Sequence, residues 1–142
     1  MPGLMPSINR MFASLVDPAA TSYTILPSLA AATLLTGGKS YAYGAWAQIA
    51  ATVGAADIWL VEIDVDEMPA DDFNVQVGVG TAPAGTAIAT LPGPGGDVSL
   101  YQFAMPLPIK ILGGSGLVGR CANASAAVFN TCRVRCIFAG GI

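Results

Sequence analysis

The sequence predicts an all-β domain, a β-sandwich of Greek-key or jelly-roll type preceded by an N-terminal arm. Three observations predict it. Short runs of alternating apolar and polar residues recur from residue 39 onward. Gly, Pro, Asn and Asp fill the gaps between the runs. No helical period interrupts them, and about eight such runs at short spacing suit a double-layered sheet. The chain of 142 residues fits one domain, with residues 1–38 as the arm and 39–142 as the sandwich.

The arm opens with SINRMFASLV, which sets Ile8, Met11, Phe12 and Leu15 at helical spacing behind Ser7, a residue suited to an N-cap. A helix this short needs something to lie against. DPAATSYTILPSLAAATLLTGG then reads as irregular or extended chain. The arm either packs on its own domain or reaches a neighbouring subunit, and Met11, Phe12 and Leu15 are the expected protein contacts.

In the sandwich, YGAWAQIAA is the first expected strand. DIWLVEIDV follows, with Trp59, Val61, Ile63 and Val65 on one face and Ile58, Leu60, Glu62 and Asp64 on the other. FNVQVGV alternates most cleanly, placing Phe73, Val75, Val77 and Val79 inward. TAIATL, VSLYQFAM, LPIKIL and GLVGRCA are shorter runs. The last strand, AAVFNTCRVRCIF, sets Val128, Cys132, Val134, Cys136 and Phe138 against Phe129, Thr131, Arg133, Arg135 and Ile137.

Apolar residues make up 54% of the chain and charged ones 11%, about half the usual share. A membrane protein is one source of such a balance. The longest charge-free runs, Pro18 to Gly38 and Phe73 to Gly96, are however broken by prolines and rich in Thr, Ser and Gly. Neither offers the roughly 20 continuous apolar residues of a spanning helix, and no secretory leader is legible around Arg10 and Asp17. Burial against other protein is the remaining expectation. The net charge of −3, with Arg120, Arg133 and Arg135 as the one basic grouping, argues against nucleic acid as a partner.

The chemical motifs thin out under inspection. VGVGTAPAGTAIATLP carries Gly78 and Gly80 in dinucleotide-loop spacing, but Pro83 stands where the third glycine belongs and a strand follows where a helix is required. Gly78 is then expected on a packed sheet face, with Gly80 and Gly85 in a turn. TGGKS lacks the first glycine of a phosphate loop, Thr33 holding that place. Glu62, Asp64, Asp66, Glu67, Asp71 and Asp72 form an acidic stretch that departs from the calcium-loop pattern and reads as a solvated strand end. The chain has no histidine, so Ser–His and Cys–His couples are excluded. Asn123 begins a glycosylation sequon, meaningful only in a eukaryotic secretory setting. Cys132 and Cys136 would lie about 13 Å apart along one strand, beyond the roughly 7 Å that a disulfide spans. At most, Cys121 pairs with one of them; buried thiols are the simpler expectation. No catalytic residue, metal or cofactor is expected.

The line VQVGVGTAPAGTAIATLP, then PLPIKILGGSGLVGRCANASA, then a final alternating strand, resembles small structural proteins of tailed bacteriophages over about two-thirds of the chain, from Trp46 onward. ILGGSGLVGRC departs from that group's more usual turn before the arginine strand. The resemblance implies a virion component, a decoration or cement protein on the capsid exterior. Its implied partners are the major capsid protein and copies of itself, a trimer being favoured. Two other readings compete. A tail or fibre subunit would touch the host through SYAYGAW, with Tyr41, Tyr43 and Trp46, and a carbohydrate-binding β-sandwich would stack the same aromatics on sugar rings.

Overall fold

The computed structural model describes residues 23–28, 31–38, 40–67, 72–93, 100–124 and 131–140. These form nine strands: β1 (Tyr23–Leu26), β2 (Thr33–Thr36), β3 (Ala47–Ala50), β4 (Ile58–Asp66), β5 (Phe73–Val79), β6 (Thr86–Gly93), β7 (Leu100–Ile111), β8 (Leu117–Asn123) and β9 (Thr131–Gly140). One sheet runs β1-β9-β4-β7 with β2 also on β9, and the other runs β3-β8-β5-β6. All ladders between these strands are antiparallel. Successive strands cross from sheet to sheet except at β1–β2 and at the β5–β6 hairpin. That winding is a jelly roll. β1 and β2 share one edge of β9, β1 against Cys136–Ala139 and β2 against Thr131–Val134, so together they act as one interrupted strand.

Within the stretch expected as irregular or extended chain, β1 and β2 are therefore strands in the sheet of their own chain. Tyr-Thr-Ile-Leu and Thr-Leu-Leu-Thr are too short to show a period, and tertiary pairing with β9 decides their conformation. Met11, Phe12 and Leu15 lie outside the described residues, as do Val128, Phe129 and Asp71.

The core fills the space between the sheets. β5 sends Phe73, Val75 and Val77 into it, and β9 sends Cys132, Val134, Cys136 and Phe138, as their alternation requires. β4 departs from the expected facing. Its pairing slips between Leu60 and Glu62 against both neighbours. The extra residue, Val61, reverses the two-residue period, so Ile58 and Leu60 face the core before the bulge and Ile63 and Val65 after it. Val61 packs with Ile137 and Ala139 in a second apolar cluster, with Ile25 against it. Trp59 and Val61 are thus not on the core face. Ile58 to Val61 are apolar on both sides, which hides the bulge in the sequence.

VSLYQFAM and LPIKIL, expected as two strands, are parts of one. β7 follows β4 along its length, and Met105 to Pro108 bulge out opposite Val61. Proline has no N–H for a ladder, so Pro106 and Pro108 belong where pairing is suspended. At the far end of the sandwich, Gln48 ties the β5–β6 turn down. Its Nε2 donates to the carbonyls of Ala50, Leu117 and Gly80, and its Oε1 accepts the Ala82 N–H.

Candidate functional site

Residues 40–44 lead into β3 and hang on β8. The amides of Tyr41 and Gly44 donate to the carbonyls of Asn123 and Cys121, at 2.7 and 2.9 Å. Ser40 and Tyr41 both take left-handed backbone, with φ of 52° and 60°, a conformation that side chains other than Asn, Asp and His seldom adopt. This turn stands Tyr41 out from the surface, 49% exposed.

Beside it opens a cleft of about 450 Å³, lined by Tyr41, Asp72, Phe73, Asn74, Pro92 and Gly93, with Tyr101 completing the rim. Its floor follows from the ladder. Phe73 at the start of β5 is paired with Gly93 at the end of β6, and a Cβ at residue 93 would collide with the Phe73 ring. Only glycine lets that ring lie over the backbone there. Tyr101 enters from β7 and lies beside Phe103, with ring centroids 6.3 Å apart and planes tilted by 37°. The cleft combines two phenol rings with the carboxylate of Asp72 and the amide of Asn74. Such a surface suits hydrogen bonding and ring stacking.

A second aromatic assembly covers the outer face of the four-stranded sheet. The Arg120 guanidinium on β8 lies 4.5 Å from the Tyr43 ring centre and 4.3 Å from that of Trp46. Its Nε donates to Gln76 Oε1 on β5 at 2.8 Å, and Gln76 Nε2 donates in turn to Thr90 Oγ1 on β6 at 3.1 Å. Trp46 rests on two glycines. A Cβ at Gly78 would come within 3.0 Å of its ring, and one at Gly85 within 2.9 Å. Gly80, with φ of 146°, makes the turn between β5 and β6. The glycines that imitate a phosphate loop therefore serve as the bed of an indole and as a hairpin turn, as their place between two strands predicts. Tyr43 and Trp46 pack within the fold, whereas Tyr41 stands out.

The arginines do not group as the sequence suggested. Arg120 projects from the four-stranded sheet, while Arg133 and Arg135 project from β9 on the opposite layer. Their odd and even places along two different strands decide this. Arg133 pairs with Glu67 at 2.7 Å and Arg135 with Asp66 at 2.9 Å, so part of the acidic stretch is held by arginine. Glu62 is fully buried, accepting a bond from Gln102 Nε2 at 3.4 Å. Asp72 alone of the described acidic side chains lines the cleft. Asn123, the sequon residue, is buried at the end of β8 and offers no surface for a glycan.

Apolar display is greatest on β7. Leu107, held between Pro106 and Pro108 in the bulge, is 68% exposed, and Leu112 just past the strand end is 62% exposed. The contacts expected at Met11, Phe12 and Leu15 lie outside the described residues, and sequence reasoning did not single out Leu107. Its signal was the Pro-Leu-Pro triplet inside an otherwise pairing strand.

No family model matches the sequence, and no curated protein matches it. Among solved structures the chain is similar to a β-1,3-glucan-binding CBM6 from Bacillus halodurans, at 13% identity and TM-score 0.47 over 87% of this chain and 92% of that one. It is similar to PirA at 10% identity and TM-score 0.39, over 77% of this chain and 93% of that one. A structure of the infectious bursal disease virus Gt strain is similar at 10% identity and TM-score 0.44, over 84% of this chain but only 32% of the viral one. At these identities the likeness concerns the fold alone, and the jelly-roll assignment rests on the strand order itself.

Proposed function

We propose that this chain is a virion structural protein, a decoration or cement subunit that stabilises a phage capsid through protein–protein contacts and carries out no catalysis. The observation that supports it best is the pair of leucines on the β7 edge, set on a chain with few charges. Edge strands commonly invite another strand to pair. Here Pro106 and Pro108 remove two amides from the edge and fix φ on both sides of Leu107. The edge therefore offers a pre-set apolar knob in place of a strand-pairing template, and pre-organisation lowers the entropy lost on docking. Low charge fits a surface whose interface core excludes ions. The partners in this reading are the major capsid protein and further copies of the chain, as a trimer. A cement that binds only the assembled lattice stabilises it by mass action.

Quantitative mass spectrometry of purified particles from the source sample tests the reading. Many copies per particle are expected, and capsids lacking the chain should rupture at lower temperature. A few copies confined to a tail or vertex would favour the fibre reading, and absence from particles would end both. On stripped capsids, Leu107→Asp should weaken binding about tenfold or more while leaving the fold intact, the scale of a central apolar anchor.

The cleft favours a second reading, a carbohydrate-binding sandwich. Tyr41 and Tyr101 would face a sugar ring while Asp72 and Asn74 bond its hydroxyls. A glycan array read with and without calcium, repeated with Tyr41→Ala, separates this reading from the first.

A further inference from the structure

We propose that Cys121 and Cys132 form a dithiol site that closes to a disulfide joining the two sheets. Cys121 points inward from β8 and Cys132 inward from β9, so the two belong to opposite layers of the sandwich. Both are buried in the core between the layers, and their thiols are in hydrogen-bond contact. Leu35 shows how closely the strands approach here. It is the β2 partner of Cys132, and its Cδ2 would lie 3.3 Å from a Cβ on Gly119 of β8.

The sequence left two partners open for Cys121, and the fold leaves one. Cys136 lies two repeats of the pleat further along β9, between Ile63 and Leu26 in the ladder. Burial pushes its thiol well above the ordinary range. The touching pair behaves differently. The hydrogen bond from Cys132 holds the Cys121 thiol down, and the same contact pushes Cys132 up. Of the two, Cys121 gives up its proton more readily, and the thiolate is the form that attacks a disulfide.

The oxidant required is a small disulfide such as oxidised glutathione, reached when the sandwich opens locally. The Cys121 thiolate attacks one sulfur, forming a mixed disulfide and expelling one glutathione thiolate. Cys132 then loses its proton to solvent and attacks the Cys121 sulfur, expelling the second. Two protein thiols and one oxidised glutathione give one protein disulfide and two reduced glutathiones. This site is independent of the virion reading.

The sequence provides a clean assay. No Lys or Arg stands between Arg120 and Arg133, so trypsin releases residues 121–133 with both cysteines and residues 136–142 with Cys136 alone. The full chain is equilibrated in mixtures of reduced and oxidised glutathione, in native buffer and in concentrated urea, then alkylated and digested. In native buffer, peptide 121–133 should be two hydrogens lighter and unalkylated, with peptide 136–142 alkylated. The squared concentration of reduced glutathione over that of oxidised glutathione, taken where the bond is half open, should be at least tenfold higher in native buffer than in urea. By linkage, the disulfide then stabilises the fold by that same factor. A doubly alkylated 121–133 peptide in native buffer, a cross-link to 136–142, or a bond no harder to open natively than in urea would each overturn the proposal.

Discussion

Replacing Arg120 by alanine tests whether Tyr43 and Trp46 belong to the architecture or to a recognition surface. The guanidinium touches two rings, at 4.5 and 4.3 Å, and is partly buried between them. Each cation–π contact is worth about 1 kcal/mol, between the exposed and desolvated limits. The bond from Nε to Gln76 at 2.8 Å adds about 1.5 kcal/mol, being charge-assisted. Truncation frees the long side chain and returns about 1 kcal/mol of rotamer entropy. The expected loss is therefore about 2–3 kcal/mol, against about 0.5 kcal/mol or less for an ordinary surface charge. Urea unfolding reads it as a lower midpoint at unchanged slope. Arg120→Lys keeps the charge but loses the planar face and the Nε donor, so it should recover less than half of the loss. A cycle with Trp46→Leu should show a coupling of about 1 kcal/mol between the two positions. An Arg120→Ala midpoint equal to the parent's, or strict additivity in the cycle, would refute the clamp and return the aromatics to the recognition loop.

Gly78→Ala should cost about 1–3 kcal/mol, the range of a strained overpacked site. The new Cβ would stand 2.5 Å from the Thr86 carbonyl oxygen and 3.0 Å from the Trp46 ring, and the carbonyl belongs to backbone that does not yield easily. Near-ultraviolet circular dichroism should report the displaced indole, and an unchanged spectrum and midpoint would contradict the bed of glycines. Asp57 makes stability depend on acid. The Gly113 amide, at 2.8 Å, and the Lys110 ammonium, at 3.2 Å, hold its carboxyl below its ordinary value of 3.8. A depressed folded value contributes stability that is present above pH 3.8 and lost as pH falls through the folded value. Asp57→Asn should flatten the acid limb of a stability-against-pH curve and leave its neutral limb parallel to the parent's.

Much of the fold was open to sequence reading wherever one strand had one wet face. FNVQVGV and TCRVRCIF alternate without interruption, and their inward residues are those the period names. The reading went astray where a strand carried apolar residues on both sides, as at Ile58 to Val61, because the bulge at Val61 exchanges faces that are alike up to that point. It also went astray where the ladder outlasts the local signal. Pro106 and Pro108 look like strand ends, yet β4 continues beneath them and β7 resumes at Ile109. The cleft was not legible at all. Tyr41, Asp72, Gly93 and Tyr101 come from separate stretches of chain, and no spacing within any one stretch announces that they meet.

By itself, the sequence determined the chemistry that is out of reach and the class of fold. A chain with no histidine has no imidazole base, and period-two runs punctuated by glycine and proline have few ways to bury their apolar faces except as two stacked sheets. The tertiary structure alone decided who faces whom. It placed Cys121 against Cys132, parted Arg120 from Arg133 and Arg135, and folded β1 and β2 onto β9. The physical reason is that a strand's alternation specifies only two sides. Which neighbour lies on each side is decided by long-range hydrogen-bonded register, and one bulged residue is enough to exchange them.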